Sequence, residues 1–189
     1  MKIFLNVVFG FFILTPVYGE AAFNEIFSDR YFNHYEAGKC GLHLLVFIKK
    51  LNQEDLSLEG VSLVEISNKG FSVFGMVNVE KARVKRFDKP AVDERNWYHH
   101  VIAVDTDGTV YDFDFSIEPS PLAFAEYVET MFLDEPECET PAYGKFCAGR
   151  EEKLKNYQLR WTHASDLVNE ADPKPYHVGS LGEALDRHH

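Results

Sequence analysis

Residues 97–115 read Trp97-Tyr98-His99-His100-Val101-Ile102-Ala103-Val104-Asp105-Thr106-Asp107-Gly108-Thr109-Val110-Tyr111-Asp112-Phe113-Asp114-Phe115. Residues 97–104 are strand-like, and residues 110–115 read as their partner across the turn run Asp105-Thr106-Asp107-Gly108. The loop can close in two ways. If it holds three residues, Thr106-Asp107-Gly108, with the glycine left-handed, His100 stands opposite Asp114 and shares a face with Asp112. If it holds only Asp107-Gly108, the parity shifts by one and His99 takes that face. Spacing alone leaves both open.

Outward from this hairpin the hydrophobic period changes. Phe71, Val73, Val77 and Val79 alternate with polar or small residues on the N-terminal side, as strands do. Further upstream the period is helical. Residues 23–35 form a loose aromatic-rich helix that ends near Gly38, and residues 41–52 form a better one, with Leu44, Leu45, Ile48 and Leu51 on one face. Lys49 and Lys50 sit in its last turn, where they suit the negative end of the dipole, so Cys40 stands at the positive end. After Pro119 and Pro121 close the hairpin, residues 122–133 carry Leu122, Ala125, Tyr127, Val128 and Phe132 on the apolar face of an amphipathic helix. Ser180 followed by Glu183 is a capping-box signature for a terminal helix over residues 181–187. Helices before and after an antiparallel sheet make the expected class α+β.

The ends of the chain speak to its route. Met1-Lys2, the apolar run of residues 3–14 and Thr15-Pro16-Val17-Tyr18-Gly19 read as an export signal cut after Gly19. The run is far shorter than the roughly 20 residues a membrane span needs. The expectation is therefore a signal peptide over residues 1–19, a single domain over residues 20–189, and a secreted or periplasmic protein with no membrane anchor after cleavage. The formal charge is −11 and becomes one unit more negative when Lys2 leaves. That excludes nucleic acid as a partner class, because phosphate binding needs clustered Lys and Arg. The one basic stretch, Lys81-Ala82-Arg83-Val84-Lys85-Arg86, reads as the solvated face of an edge strand. Three cysteines leave an odd thiol in an oxidising compartment. Cys138 and Cys147 flank a loop with Pro141 and Gly144 that a local disulfide could close, which leaves Cys40; a pairing that includes Cys40 is the alternative.

Cys40 at a helix start, His99-His100 on one strand and Asp112 with Asp114 on the next make the set a cysteine hydrolase needs. The attacking species is a thiolate, which a helix N-terminus and an imidazolium both favour. A carboxylate orients the imidazole and fixes its tautomer, and backbone N–H groups at the helix start can receive an oxyanion. In the bland reading both histidines are ordinary strand residues and the two aspartates form a solvated edge. Among eight histidines no His-Glu-x-x-His or paired Cys-x-x-Cys spacing marks a metal site, and no cofactor is expected. His43 reads as solvent-facing, Trp161, Thr162 and His163 receive no role, and His188 and His189 read as a tail.

The segments Trp97-Tyr98-His99-His100-Val101-Ile102, Val110-Tyr111-Asp112-Phe113-Asp114 and Tyr127-Val128-Glu129-Thr130-Met131-Phe132 together resemble protein N-terminal glutamine amidohydrolases. Those enzymes are papain-like folds with a Cys-His-Asp triad that convert an N-terminal glutamine to glutamate. The resemblance covers roughly residues 39–134. It implies Cys40 as nucleophile, His100 as base and acid, Asp112 as orienting group, a papain-like fold whose N-terminal helix carries the cysteine against an antiparallel sheet, and a glutamine-bearing peptide or protein as substrate. Tyr98 stands where the family usually has Asp, and Ile117-Glu118-Pro119-Ser120-Pro121-Leu122 replaces its Leu-Pro-Phe-Pro segment. Family members are normally cytosolic without a signal, so an exported relative is expected to act on an N-terminal or side-chain glutamine amide. Transglutaminase-like or peptidase acyl transfer uses the same triad. A non-catalytic binding or inhibitor-like protein on the same scaffold is the reading from a different class.

Overall fold

The computed structural model describes residues 17–34, 39–68, 77–78, 96–97, 99–115, 118–133, 137–139 and 146–188. The described residues open with two helices, α1 (Val17–Asn33) and α2 (Cys40–Gln53). A six-stranded sheet follows, built from β1 (Ser62–Asn68), β4 (His100–Val104), β5 (Thr109–Tyr111), β6 (Leu122–Ala123), β9 (Tyr157–His163) and β10 (His177–Ser180). Its order is β10-β9-β1-β4-β5-β6, and every neighbouring pair is antiparallel. Among the described residues two short ribbons lie outside that sheet: β2 (Val77–Asn78) with β3 (Asn96–Trp97), and β7 (Glu137–Glu139) with β8 (Phe146–Ala148). Among the described residues four further short helices follow: α3 (Phe124–Val128), which runs into a wider π-helical turn (Glu129–Leu133), α4 (Arg150–Asn156), α5 (Ala164–Asn169) and α6 (Leu181–Arg187). The class is α+β.

The sheet is covered on both faces, which is why β4 reads His-Val-Ile-Ala-Val and is buried at all five positions. One face carries Val64, Ile66, Ile102, Val104, Val110, Leu159 and Trp161, packed against α3, the π-helical turn and α6. The opposite face carries Val101, Ala103 and Tyr111, packed against α1 and α2. There Phe27 sits 4.6 Å from Phe113, 5.3 Å from Tyr111 and 5.9 Å from Phe47, ring centre to ring centre, at the spacings aromatic rings favour. These rings clamp α1 over α2 and so fix α2 against β4.

The expected amphipathic helix over residues 122–133 is three pieces. Leu122 and Ala123 pair with β5 as an edge strand, a short α-helix follows, and a π-helical turn ends the segment. The wider turn brings Met131, Phe132 and Leu133 into the core together. The first helix, expected over residues 23–35, spans Val17–Asn33. The terminal helix starts as its capping box requires: Ser180 Oγ accepts from Glu183 N, and Glu183 Oε2 accepts from Ser180 N at 2.7 Å. Phe71, Val73 and Val79 and the basic stretch 81–86 lie outside the described residues. Among the described residues no helix is long and apolar enough to cross a membrane.

Candidate active site

The hairpin closes with the three-residue loop. Gly108 N donates to Asp105 O, Asp105 N donates to Thr109 O, and Gly108 has φ +78°. A left-handed backbone there favours glycine. Asp105 Oδ1 accepts from Asp107 N and Thr109 N, so the side chain that starts the loop also pins its far end. Pairing then runs Val104 with Val110 and Ala103 with Tyr111. Continued in the same parity, it places His100, Ile102, Asp112 and Asp114 on one face.

The second strand, expected over residues 110–115, stops at Tyr111, four residues early. Asp112 Oδ1 accepts the backbone N–H of Asp114 at 2.8 Å, a local turn that competes with the strand ladder and ends it. The carboxylate therefore curls in beside the strand it leaves. Its other oxygen, Oδ2, lies 2.8 Å from His100 Nε2 and accepts the Tyr127 hydroxyl at 2.8 Å. Asp112 is thus held at three points, and each is a group from a different part of the chain.

His100 is fully buried, whereas His99 is exposed and precedes the strand. Of the two histidines, the structure brings His100 to the carboxylate. Cys40 is the first residue of α2, partly exposed, and a free thiol. Its sulfur lies within 4.8 Å of a His100 ring nitrogen. With Nε2 given to Asp112, Nδ1 is the ring nitrogen left to face the sulfur. The arrangement runs as a chain: a partly exposed thiol, a buried imidazole, a buried carboxylate, and a buried phenol behind it. A second carboxylate joins it, for Cys40, His100 and Asp114 place one ligating atom each within 4.8 Å of one another.

The electrostatics follow from this packing. Burial by itself would lower the His100 pKa, but the charge and hydrogen bond of Asp112, with smaller contributions from Cys40, overcome it and raise the pKa to about 10. The imidazole is accordingly a cation at neutral pH. Burial, then the Asp112 charge, pushes the Tyr127 hydroxyl well above its ordinary value, so the phenol stays neutral and donates. The first N–H groups of α2 lack partners within the helix and carry the positive end of its dipole beside the sulfur.

The structure sets His100 against Asp112 and places Cys40 within 4.8 Å of a His100 ring nitrogen. Tyr127 was legible only as part of an apolar face. The available signal was a polar-tipped ring on a buried stripe, since a buried phenol needs an acceptor. His43 is buried rather than solvent-facing. Its Nδ1 lies 3.1 Å from Arg30 Nη2, and because a guanidinium only donates, Nδ1 is the acceptor nitrogen. The ring packs 5.6 Å from Phe113 and braces the helix rather than lining the thiol. Trp161 lies inside β9 as a core residue, and His188 stacks on it at 5.4 Å rather than trailing as a tail. A groove of about 720 Å³ between α1 and α2 has none of Cys40, His100, Asp112 or Asp114 in its walls.

No known protein family matches this chain, and no curated protein matches it.

Proposed function

We propose that the chain is an exported cysteine amidohydrolase of papain-like arrangement that deamidates a glutamine amide, N-terminal or side-chain, in peptides or proteins. The observation that carries the reading is the free thiol of Cys40 within 4.8 Å of a His100 ring nitrogen, with His100 Nε2 in turn 2.8 Å from Asp112 Oδ2. A free Cys40 also weighs against the binding-module alternative, in which a disulfide would occupy that sulfur.

In the reaction the Cys40 sulfur attacks the amide carbon while the carbonyl oxygen becomes an oxyanion received by the N–H groups at the start of α2. The C–N bond then breaks, and the proton on His100 passes to the leaving nitrogen, which departs as ammonia and leaves a thioester on Cys40. His100, now neutral, takes a proton from water as the water oxygen attacks the thioester carbon. The C–S bond breaks, a carboxylic acid is released and the thiolate–imidazolium pair is restored. Asp112 keeps Nε2–H pointed at itself throughout, so Nδ1 always faces the sulfur and the acyl group. Tyr127 and the Asp114 backbone N–H hold that carboxylate in place. An amine in place of water would turn the second half into transglutamination.

The test is ammonia release from three peptides that carry glutamine at the N-terminus, internally, or not at all. Release from a glutamine peptide, absent from the glutamine-free one and lost in Cys40→Ser, is the expected result. Turnover that survives Cys40→Ser, or no turnover of any glutamine peptide by folded protein, would overturn the reading.

A further inference from the structure

Asp114 has no step in the mechanism above, yet its carboxylate is fully buried and within ligand range of both the nucleophile and the base. A thiolate, an imidazole and a carboxylate are a donor set that suits zinc: one borderline-soft sulfur, one nitrogen, one oxygen. We propose that Cys40, His100 and Asp114 form an inhibitory zinc site, in which the metal and the acyl group compete for one sulfur.

Three features fit such a site independently. The ligating atoms lie within 4.8 Å of one another, while a tetrahedral zinc with bonds of about 2.0–2.3 Å needs them roughly 3.3–3.6 Å apart. With all three atoms already within 4.8 Å, small side-chain movements close the site. Next, metal-binding histidines usually donate their second ring nitrogen to a carboxylate, and His100 Nε2 already meets Asp112, which Tyr127 supports in turn. The bond that sets the tautomer for catalysis thereby sets it for a metal on Nδ1. Finally, Cys40 is partly exposed, which gives a cation a route in and leaves a fourth position for water.

The protons balance simply. As thiol and neutral imidazole, or as thiolate and imidazolium, the Cys40–His100 pair carries one proton more than the metal-bound form. Zinc binding therefore displaces that proton to solvent, with Nε2–H kept toward Asp112. No redox change is involved.

The inference deepens the hydrolase reading and rests on it for the word inhibitory, so binding and turnover are measured separately. Chelator-treated full-length protein is titrated with Co²⁺ and with Zn²⁺. The expected results are a thiolate-to-cobalt charge-transfer band at one metal per chain and protection of Cys40 from iodoacetamide by Zn²⁺. Asp114→Asn should weaken Zn²⁺ binding tenfold or more, and Cys40→Ser should remove the band. Two variants that alter different ligands separate ligand loss from a folding defect, with far-ultraviolet circular dichroism as the control for both. No band and no protection by Zn²⁺, or an Asp114→Asn protein that binds as tightly as the parent, would overturn the site. Turnover in chelator without zinc binding removes the metal site and leaves the hydrolase; zinc binding without turnover does the reverse.

Discussion

His99 and His100 are adjacent in the sequence, but one is exposed and the other lies in a fully buried contact with Asp112. The difference comes from parity: a three-residue loop puts residue 100, and not 99, on the face shared with Asp112. His100→Ala should therefore lower ammonia release by roughly 10²–10⁴-fold, the range expected for loss of a general acid and base. It should also slow iodoacetamide labelling of Cys40, because the neighbouring cation is gone. His99→Ala should leave both near the parent values, and a large loss in that variant would place the active histidine at the wrong residue. Asp112→Asn should keep labelling but lose turnover, since an amide cannot hold the imidazolium or its tautomer as the carboxylate does. The residues of this set were legible because each side chain type has few other reasons to stand where it does. Tyr127 was not, since its hydrogen bond to Asp112 depends on where its helix packs.

At the scale of elements, what was legible is what local physics decides. The helix after Cys40 is fixed by the spacing of Leu44, Ile48 and Leu51, and α6 by its capping box. What was lost is what tertiary packing decides. Residues 122–133 have one apolar stripe, but the π-helical turn that moves Met131, Phe132 and Leu133 inward exists because the sheet behind them must be covered. The central strand β1 carries Val64 and Ile66 fully buried between two neighbours, in a seven-residue segment too short to announce its position. The ribbon of β7 and β8 places Cys138 directly opposite Cys147, where antiparallel neighbours stand about 4.5–5.5 Å apart at Cα. That separation is within the range a disulfide needs. Peptide mapping without reductant, on protein from the oxidising side of the membrane, should recover residues 138 and 147 in one bridged fragment and Cys40 alkylated. A bridge to Cys40 would remove the nucleophile and with it the hydrolase.

For the molecule as a whole, export and stability are both open to measurement. A cut after Gly19 would trim the first residues of α1 and leave Phe23, Phe27 and Tyr31, its buried contacts to α2 and the hairpin, in the mature chain. Intact mass in the extracytoplasmic fraction should match residues 20–189; full-length chain retained in the cytoplasm would end that proposal. The buried triad also couples the fold to pH. The His100 pKa rises from 6.5 to about 10 on folding, so the folded state binds its proton more tightly than the unfolded state. A group of this sign stabilises fully below pH 6.5, and its contribution is lost progressively as pH rises toward 10. The net charge of −11 grows more negative over the same range and adds a general repulsion, so the parent curve alone does not isolate the effect. The comparison is with His100→Gln, which keeps a hydrogen-bonding side chain and cannot titrate. In buffer with chelator, the urea midpoint of the parent should fall more steeply between pH 6.5 and 10 than that of the variant, and the two should run parallel below pH 6. Parallel curves across the whole range would mean that His100 gains no proton affinity on folding, and the ion pair with Asp112 would have to be abandoned.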